Sequence, residues 1–305
     1  MRTFFIVNPF SRCRTTGRLW RKVEQEQVKG WGWEYDWALT EGPGHATDLA
    51  LSALMQGYQM VVAVGGDGTL HEIINGFFQN EETAREPSIL GLLPSGTGTD
   101  FAKMLRIPRS MDEAAKRLRN GRPRAIDLGT ISCQDLKGGP IQRVFANIAD
   151  GGMGAETVKR VNSGPKKGGT LPFLVGAIRT LMGYQNRSIR VRVDDQTERA
   201  ISAVIAIVAN GRYFGGGMRI APQAEFDDGL FDVVLIKDLP RFRILANLYR
   251  IYTGTHVELP EVEVLRGKKV ALEAEEEFLL EADGELLGRA PAEFAIRPRA
   301  IRVMC

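Results

Sequence analysis

The 305-residue chain has little of what marks several large classes of protein. Its three cysteines, Cys13, Cys133 and Cys305, lie far apart, and their odd number fits neither a disulfide framework nor a metal-ligand spacing. No apolar run approaches the roughly 20 residues that span a bilayer, and the apolar run at the start is too short for a signal peptide. We therefore expect a protein of the reducing cytoplasm that reaches any membrane from one side.

Several common site motifs are also missing. The net charge is +3 and no long basic run occurs, so nothing indicates a nucleic-acid partner. The phosphate-binding pattern G-x-x-x-x-G-K-[ST] is absent, and no G-x-G is completed to the dinucleotide pattern G-x-G-x-x-G. Ser95 does not lie in a G-x-S-x-G elbow, and the three histidines share no metal spacing. A P-loop enzyme, a Rossmann dehydrogenase and a serine hydrolase are thus unsupported.

What the chain does contain, in its first 128 residues, is an alternation of short apolar runs with amphipathic patterns. This alternation predicts a parallel sheet covered by helices on both faces, in an α/β domain. The predicted strands are Thr3–Val7, Glu34–Leu39, Met60–Val64 and Ser88–Leu93; the predicted helices are Gly17–Lys29, His45–Met55, Leu70–Phe78, Asp100–Leu105 and Met111–Asn120.

Strand patterns dominate after Asp127. The predicted strands are Gln142–Ile148, Ser188–Asp194, Ile201–Ala209, Gly229–Ile236, Val262–Leu265, Val270–Glu273 and Phe278–Glu281. Several of them alternate apolar and polar residues, as in Ser188–Val193, which is typical of half-exposed antiparallel sheets. Two helices, Leu171–Tyr184 and Arg241–Tyr252, are predicted to interrupt the strands. We therefore expect a second, β-rich domain over residues 129–295.

Four predicted strands of the first domain run directly into polar or glycine-rich loops. Because the carboxyl ends of parallel strands share one edge, these loops should meet where open α/β sheets bind ligands. The loops begin at Asn8, Thr40, Gly65 and Pro94.

The loop Gly65–Thr69 is the sharpest of the four. Its glycines let backbone N–H groups approach an anion, and the following helix directs its N-terminal dipole to the same place. Asp67 would repel a phosphate unless a cation lay between them, so its presence points to Mg²⁺. The alternative is a plain turn with Thr69 as a helix cap, but the second loop, Ser95–Thr99, repeats the design.

The segments Gly65–Gly76 and Leu93–Lys103, read together, resemble the diacylglycerol kinase catalytic family in its bacterial lipid-kinase branch. The resemblance runs in order along essentially the whole chain. Weaker marks of the same family are Asn8-Pro9, Thr40 with Gly44–Ala46, Asn210-Gly211 with Gly215–Gly217, Ala221-Pro222 with Asp227–Leu230, and Asp283–Glu285.

The resemblance implies an ATP- and Mg²⁺-dependent kinase that phosphorylates a hydroxyl of diacylglycerol or a related lipid. It implies a nucleotide-binding α/β domain over residues 1–128, joined by a returning strand at about 296–305, a β-sandwich-like lipid-substrate domain, and an active site in the cleft between them. By the same matching, ATP contacts Asn8, Pro9, Thr40, Gly65, Gly66, Asp67, Gly68, Thr69, Leu70, His71 and Thr97.

Two further sites follow from the resemblance alone. A metal ion, in a structural role, is expected at Asp228 with the backbone carbonyls of Glu225 and Leu230, although Asp227–Gly229 by itself reads as a hairpin turn. Asp283 or Glu285 is expected to be the catalytic base, with Asp283 favoured, although Asp-Gly is also a common hairpin signal. Asp67 is the third residue expected to act in catalysis.

The chain departs from the family pattern in two places. Thr99 stands where the family usually has Asn; we expect Thr99 still to cap the helix that begins at Asp100, but without the contact that a side-chain amide would make. The loop after Asn8-Pro9 lacks the usual early glycine and has Arg12 and Arg14 instead.

Other functions stay open on the sequence alone. NAD kinase shares Gly65–Thr69, but the Asn-Glu pair that it typically carries for its substrate is not found here. A regulator that binds lipid or nucleotide without catalysis is the other alternative. The lipid itself and the oligomeric state, including a homodimer, are not readable. The apolar segment Leu171–Met182, next to Lys166 and Lys167, is either a core helix or a lipid-facing wall, with which the enzyme would dock on the inner face of the membrane.

Overall fold

The computed structural model describes residues 1–80, 88–96, 98–163 and 170–305, with the side chains of 170–173 excepted. The chain forms two compact units: residues 1–126 together with Arg299–Cys305, and Asp127–Pro298. Thr97, Lys166 and Lys167, which the sequence singles out, lie outside the described residues.

Unit 1 contains the predicted parallel sheet. Its strands β1 (Arg2–Val7), β2 (Glu34–Leu39), β3 (Met60–Gly65) and β4 (Ile89–Pro94) pair in the order β2-β1-β3-β4, all parallel. The end of the last strand of the chain adds to β4, with Val303 opposite Leu90. Fully buried β-branched and aromatic side chains such as Phe5, Val62 and Val64 fill the sheet, as continuous apolar strands covered on both faces require.

Five helices of five or more residues accompany this sheet in the described part of the chain: α1 (Thr16–Glu26), α2 (His45–Met55), α3 (Asp67–Phe77), α4 (Asp100–Met104) and α5 (Met111–Asn120). Helices α2 and α5 have the predicted bounds. Helix α3 begins three residues earlier than predicted, at Asp67, because the chain turns at Gly66, which is in extended conformation (φ −95°, ψ −172°). The acidic Asp67 thereby stands in the first turn, where the helix dipole favours it.

The predicted helix Gly17–Lys29 ends earlier than expected. Helix α1 stops at Glu26, and a 3₁₀ turn, Val28–Trp31, follows it. Before α1, the three residues Arg12, Cys13 and Arg14 all have positive φ, at 48°, 53° and 66°. The loop after Asn8-Pro9 therefore adopts left-handed backbone without the glycine that would allow it at no steric cost.

Unit 2 is built on antiparallel pairs, and its strands are more numerous than predicted. They are β5 (Pro123–Asp135, which starts in unit 1), β6 (Pro140–Phe145), β7 (Ile148–Gly152), β8 (Arg187–Val193), β9 (Arg199–Ala209), β10 (Phe231–Lys237), β11 (Val262–Gly267), β12 (Lys269–Ala274), β13 (Leu279–Ala282) and β14 (Glu285–Met304, which ends in unit 1). One path runs β11-β10-β9-β7-β13-β14, and β8 pairs with both β9 and β12. The single strand predicted at Gln142–Ile148 is in fact two strands, β6 and β7.

Three helices of unit 2 are described: α6 (Met153–Asn162), α7 (Thr170–Gly183) and α8 (Arg241–Thr253). Helix α6 was not predicted from the sequence, because glycines at 151, 152 and 154 surround its start. Within the described residues, no helix is long and apolar enough to cross a membrane.

Candidate active site

The loops that follow β1, β3 and β4 are bound to one another at the carboxyl edge of the unit 1 sheet. Asn8 donates from its backbone to the Val64 carbonyl at 3.0 Å and from its side chain to Thr69 Oγ1 at 2.9 Å. Ser95 N–H donates to the Gly65 carbonyl at 2.7 Å. The chain runs from β1 outwards to β2 and then back to β3, so these loops stand at the topological switch point of the sheet, where such folds bind ligands.

Two glycines let the second and third loops touch. A Cβ on Gly96 would lie 2.6 Å from the Gly66 Cα, and one on Gly66 would lie 3.2 Å from the Gly96 Cα. Any side chain at Gly96 would thus overlap backbone. The glycines are needed here for close backbone approach, which brings the amides of two loops into one small region.

Asp67 ties the same two loops together through its carboxylate. Its oxygens accept from the backbone N–H groups of Asp100, at 3.0 Å, and Phe101, at 3.4 Å. These are N–H groups at the start of α4, which have no partner within their own helix. Asp67 therefore has a structural function, and the magnesium contact expected of it stays a prediction.

Thr99 does not cap α4, contrary to the sequence-based expectation. Its backbone is left-handed, at φ 49° and ψ 43°, and its hydroxyl makes no capping bond. A helix cap needs extended backbone so that the side chain can turn back to the N2 or N3 amide, and a left-handed residue cannot supply this. Asp67 takes over the role, while Arg109 approaches the Thr99 hydroxyl at 3.4 Å and the Gly98 carbonyl at 3.2 Å.

The other residues predicted to contact ATP differ in accessibility. Thr40 is buried and its N–H donates to the Val7 carbonyl at 2.9 Å, while Pro9 lies half-buried beside Asn8. Leu70 and His71 are buried in α3, with His71 Nε2 3.3 Å from the Asn75 amide nitrogen. The contacts of these residues with nucleotide stay predictions. Of the residues predicted to contact ATP, Gly65 to Thr69 lie where β3 passes into α3.

In unit 2, Asp283 and Gly284 form the two-residue turn between β13 and β14. Ala282 pairs with Glu285 across the turn, and both turn residues have positive φ, at 48° and 89°. This is the hairpin that an Asp-Gly pair favours. The turn presents Glu285 as an exposed side chain at the start of β14.

The Asp283 carboxylate binds backbone on a neighbouring segment. Oδ2 accepts from Ala146 N–H at 2.7 Å, and Oδ1 accepts from Asn147 and Ile148 N–H at 2.9 and 3.1 Å. Both lone pairs of Oδ1 are thus engaged, since a carboxylate oxygen offers about two acceptor positions. Asp283 anchors the turn to the segment that leads into β7.

That segment explains another mark read from the sequence. Asn210, fully buried, donates from its side chain to the carbonyls of Asp127, at 2.9 Å, and Ala146, at 2.7 Å. Gly211 N–H donates to the Asn147 carbonyl at 2.8 Å. Asn210-Gly211 therefore holds the backbone to which Asp283 is bound.

Behind the turn lies a pair of buried acids that the sequence analysis did not find. Asp150 on β7 and Glu281 on β13 are direct cross-strand partners, and they are 1% and 3% exposed. Glu281 Oε2 accepts the N–H of Gly284 at 2.7 Å. Burial raises the pKa of Asp150 to about 6, and burial together with the Asp150 charge raises the pKa of Glu281 well above its usual value. No sequence signal shows this pair, because their meeting depends on strand register.

The carboxylate at the predicted structural metal site is bound by other groups. Asp228 Oδ1 accepts Leu230 N–H at 3.0 Å, and Oδ2 forms an ion pair with Arg266, which also reaches the buried Asp232 at 3.4 Å. The Glu225 side chain lies 3.6 Å from Arg212. Among the described residues, no group of three or more His, Cys, Asp or Glu side chains could hold a metal. An ion at Asp228 would have to replace Arg266 on that carboxylate, and the site stays a prediction.

Unit 2 also contains a strongly apolar cavity beneath α7 and α8. Its few polar side chains include the buried His256, whose Nε2–H donates to the Ile220 carbonyl at 2.9 Å and whose pKa is lowered by burial. The cavity is therefore uncharged near neutral pH. It is lined by Met153, Thr157, Leu174, Ala177, Val204, Ile205, Phe214, Met218, Ile220, Ile236, Leu239, Ile244, Asn247, Leu248, Ile251, Tyr252, His256, Leu259 and Val262.

Comparisons with known proteins agree with these features. Residues 2–131 match the diacylglycerol kinase catalytic domain, and residues 147–305 match the YegS C-terminal NAD kinase beta sandwich-like domain. A diacylglycerol kinase of Bacillus subtilis is 30% identical, with 90% of this chain and 86% of that protein covered. This chain belongs to the diacylglycerol kinase family of lipid kinases.

Two further likenesses extend over almost the full length. The putative lipid kinase YtlR of Bacillus subtilis is 27% identical, with 98% of each chain covered. The crystal structure of a putative diacylglycerol kinase from Bacillus anthracis has a TM-score of 0.78 at 22% identity, covering 99% of this chain and 96% of that one. The second likeness shows that the fold is shared, with an N-terminal domain and a β-rich C-terminal domain.

Proposed function

We propose that this protein transfers the γ-phosphoryl group of ATP to a hydroxyl of diacylglycerol or a closely related lipid. The observation that carries the choice of a lipid acceptor is the apolar cavity of unit 2, since a pocket lined almost wholly by hydrocarbon suits an acyl chain. Family membership supports kinase chemistry. The acceptor of NAD kinase, a polar dinucleotide, would find few polar groups in such a cavity.

The nucleotide phosphates are assigned to the loops Gly65–Thr69 and Ser95–Thr99. The close approach of Gly66 and Gly96 forms the kind of side-chain-free cradle in which backbone amides hold an anion. The N-terminus of α3 adds its dipole at the same edge. When bound, Mg²⁺ supplies neutralisation of the phosphate charge, and Asp67 is the residue we assign to it, directly or through water.

The proton of the acceptor hydroxyl is assigned to Glu285 rather than to Asp283. The Asp283 carboxylate accepts hydrogen bonds from three backbone N–H groups, whereas the Glu285 side chain, next to the same turn, is exposed to solvent. In the reaction the lipid oxygen forms a bond to the γ-phosphorus, and the bond from that phosphorus to the bridging oxygen of ADP breaks. Glu285 takes the hydroxyl proton, and Asp283 holds the turn in place.

A lipid acceptor implies work at a membrane surface, with the enzyme attached peripherally on the cytoplasmic face. Helices α7 and α8 line the apolar cavity and also expose apolar side chains to solvent. We therefore assign the lipid-facing surface to these two helices. The structural metal expected at Asp228 has no part in this scheme, because Arg266 already balances the charge of that carboxylate.

The experiment that tests the function is incubation of the purified protein with labelled ATP and a lipid extract, with NAD as the parallel acceptor. Labelled lipid, dependent on Mg²⁺ and absent with the Glu285→Gln variant, is the expected result. Labelled NADP without labelled lipid would show the NAD kinase alternative. Binding of ATP or lipid without any labelled product would show the non-catalytic regulator.

A further inference from the structure

Helix α8 carries an exposed apolar stripe along the side next to the one that lines the cavity. Phe242, Leu245, Tyr249 and Tyr252 are 71%, 40%, 61% and 44% exposed. At 3.6 residues per turn their spacing of three, four and three residues places them within an arc of about 80°. None of the residues of this helix is buried, although it is an amphipathic helix of a folded unit.

The adjacent side of the same helix lines the apolar cavity. Ile244, Leu248 and Ile251 face into it, at the complementary spacing of four and three residues. Tyr252 belongs to both surfaces, because it lines the cavity and is also exposed. The cavity and the stripe are thus continuous around one helix.

Helix α7 repeats this arrangement. Leu174 and Ala177 line the cavity, while Val175 and Met182, seven residues apart on one face, are 40% and 57% exposed. Two neighbouring walls of the cavity therefore show apolar side chains to solvent as well as to the cavity. Single exposed apolar residues need no explanation, but several of them on two helices that line one cavity indicate an interaction surface.

The charges on α8 favour a lipid headgroup layer over an apolar protein partner. On a helical wheel, Arg241 lies on one flank of the stripe, and Arg243 and Arg250 lie on the other. Arg241 donates to the uncharged Tyr184 carbonyl at 3.0 Å, a contact that does not balance its positive charge, whereas Glu261 and Glu258 balance the charges of Arg243 and Arg250. Exposed phenylalanine, leucine and tyrosine side by side, with arginine at the flank, is the pattern of a helix that lies in a membrane interface.

We propose that helix α8 docks this protein onto an anionic lipid bilayer, inserting Phe242, Leu245 and Tyr249 between headgroups so that the cavity beneath opens towards the bilayer. The proposal rests on the proposed function only for the purpose of docking, which is to bring the cavity to its lipid substrate. Attachment to lipid is a property of the stripe and requires no turnover.

The test uses the full-length protein and vesicles of equal parts phosphatidylcholine and phosphatidylglycerol, with binding measured by co-sedimentation. The variant is the double replacement Phe242→Ser and Tyr249→Ser, whose side chains are exposed and so should leave the fold intact. We expect it to lower vesicle binding by about tenfold or more. The matched control is Met55→Ser on helix α2, 66% exposed in the other unit, which should bind as the unchanged protein does.

A second measurement detects insertion directly. Tyr249→Trp should gain fluorescence quenching by lipids brominated along the acyl chain, beyond the quenching of the unchanged protein. Equal vesicle binding by the double variant and the unchanged protein would overturn the proposal. So would loss of self-association in the double variant with vesicle binding retained, since the stripe would then be a contact between copies. Vesicle binding as proposed, with no lipid phosphorylated, would overturn the proposed function and leave the docking surface standing.

Discussion

The Asp67 carboxylate accepts the Asp100 backbone N–H at 3.0 Å, so one acidic side chain joins the two glycine-rich loops of unit 1. Asp67, for which the sequence predicts a magnesium contact, thus also caps helix α4. These two functions can be separated by choice of substitution, because an amide retains an acceptor oxygen but loses the charge.

We predict that Asp67→Ala lowers turnover by roughly 10²–10³, since it removes preorganised charge and the link between the loops together. Asp67→Asn should keep the bond to the Asp100 N–H, and with it most of the thermal stability, while still losing most of the activity. Steady-state kinetics and thermal unfolding of both variants separate the two effects. Activity near the unchanged level in a folded Asp67→Asn protein would remove the magnesium role and leave the structural one.

Thr99 provides a prediction about stability. Left-handed backbone costs an ordinary residue about 1–2 kcal/mol relative to the right-handed form, and asparagine tolerates it better than a β-branched residue does. We expect Thr99→Asn to raise the free energy of unfolding by about 0.5–1 kcal/mol. Denaturant titration measures it.

The comparison variant for Thr99 is Thr99→Ala. Alanine removes the β-branch and the weak contact with Arg109 but retains an ordinary side chain at positive φ. Its stability should therefore fall below that of Thr99→Asn. An asparagine variant no more stable than the alanine variant would show that backbone strain at this position is not what limits stability.

Much of unit 1 follows from the sequence, because its signals are local. Continuous apolar runs such as Met60–Val64 and the periodic segments of α2 and α5 specify their own structure, and strand-loop-helix order places the loops at one edge. Helix α6 was missed because the glycines before it resemble a loop. The cap of α4 was misassigned because the sequence does not reveal the positive φ of Thr99.

The parts of the site that sequence could not supply depend on register between distant strands. Asp150 meets Glu281 across 131 positions only because β7 and β13 pair in one register. The three backbone bonds to Asp283 depend likewise on where Ala146 lies. Arg266, on β11, reaches Asp228 in the loop before β10, which no spacing rule would show.

The hairpin turn yields a prediction about the two acids that flank Gly284. We expect Glu285→Gln to lower kcat by about 10²–10⁴, the range for loss of a general base, with little change in nucleotide binding. Asp283→Asn should act differently, because it replaces an acceptor of three backbone N–H groups by an amide with a single oxygen. Its main effect should be on thermal stability.

Kinetics and thermal unfolding of the two variants, run side by side, give the comparison. A stable Asp283→Asn protein with the larger loss of kcat would return the base to Asp283. Normal turnover in both variants would mean that the pair forms only a turn.

The buried pair behind this turn makes stability depend on pH, and the sign can be worked out. Ordinary pKa values are about 3.9 for Asp and 4.3 for Glu, and the pKa of each residue is higher in the folded protein, about 6 for Asp150. The folded state thus binds more protons than the unfolded state above about pH 4, so the free energy of unfolding falls as pH rises through 6. Asp283 faces Glu281 and Tyr184 faces Asp150, and neither supplies a compensating positive charge.

We predict that Glu281→Gln flattens this fall. Glutamine keeps an oxygen for the Gly284 N–H, at 2.7 Å from the present carboxylate, and its amide can donate to Asp150 without a titrating proton. The variant should therefore match the unchanged protein at low pH and exceed it in melting temperature above pH 7.

The control is Glu293→Gln, an exposed acid on the final strand β14, which should leave the pH profile unchanged. Glu281→Leu should be unstable at every pH, because it leaves the Gly284 N–H and the buried Asp150 without a hydrogen-bonding partner at this position. A Glu281→Gln protein whose stability falls as steeply with pH as the unchanged one would show that the pair holds no shared proton.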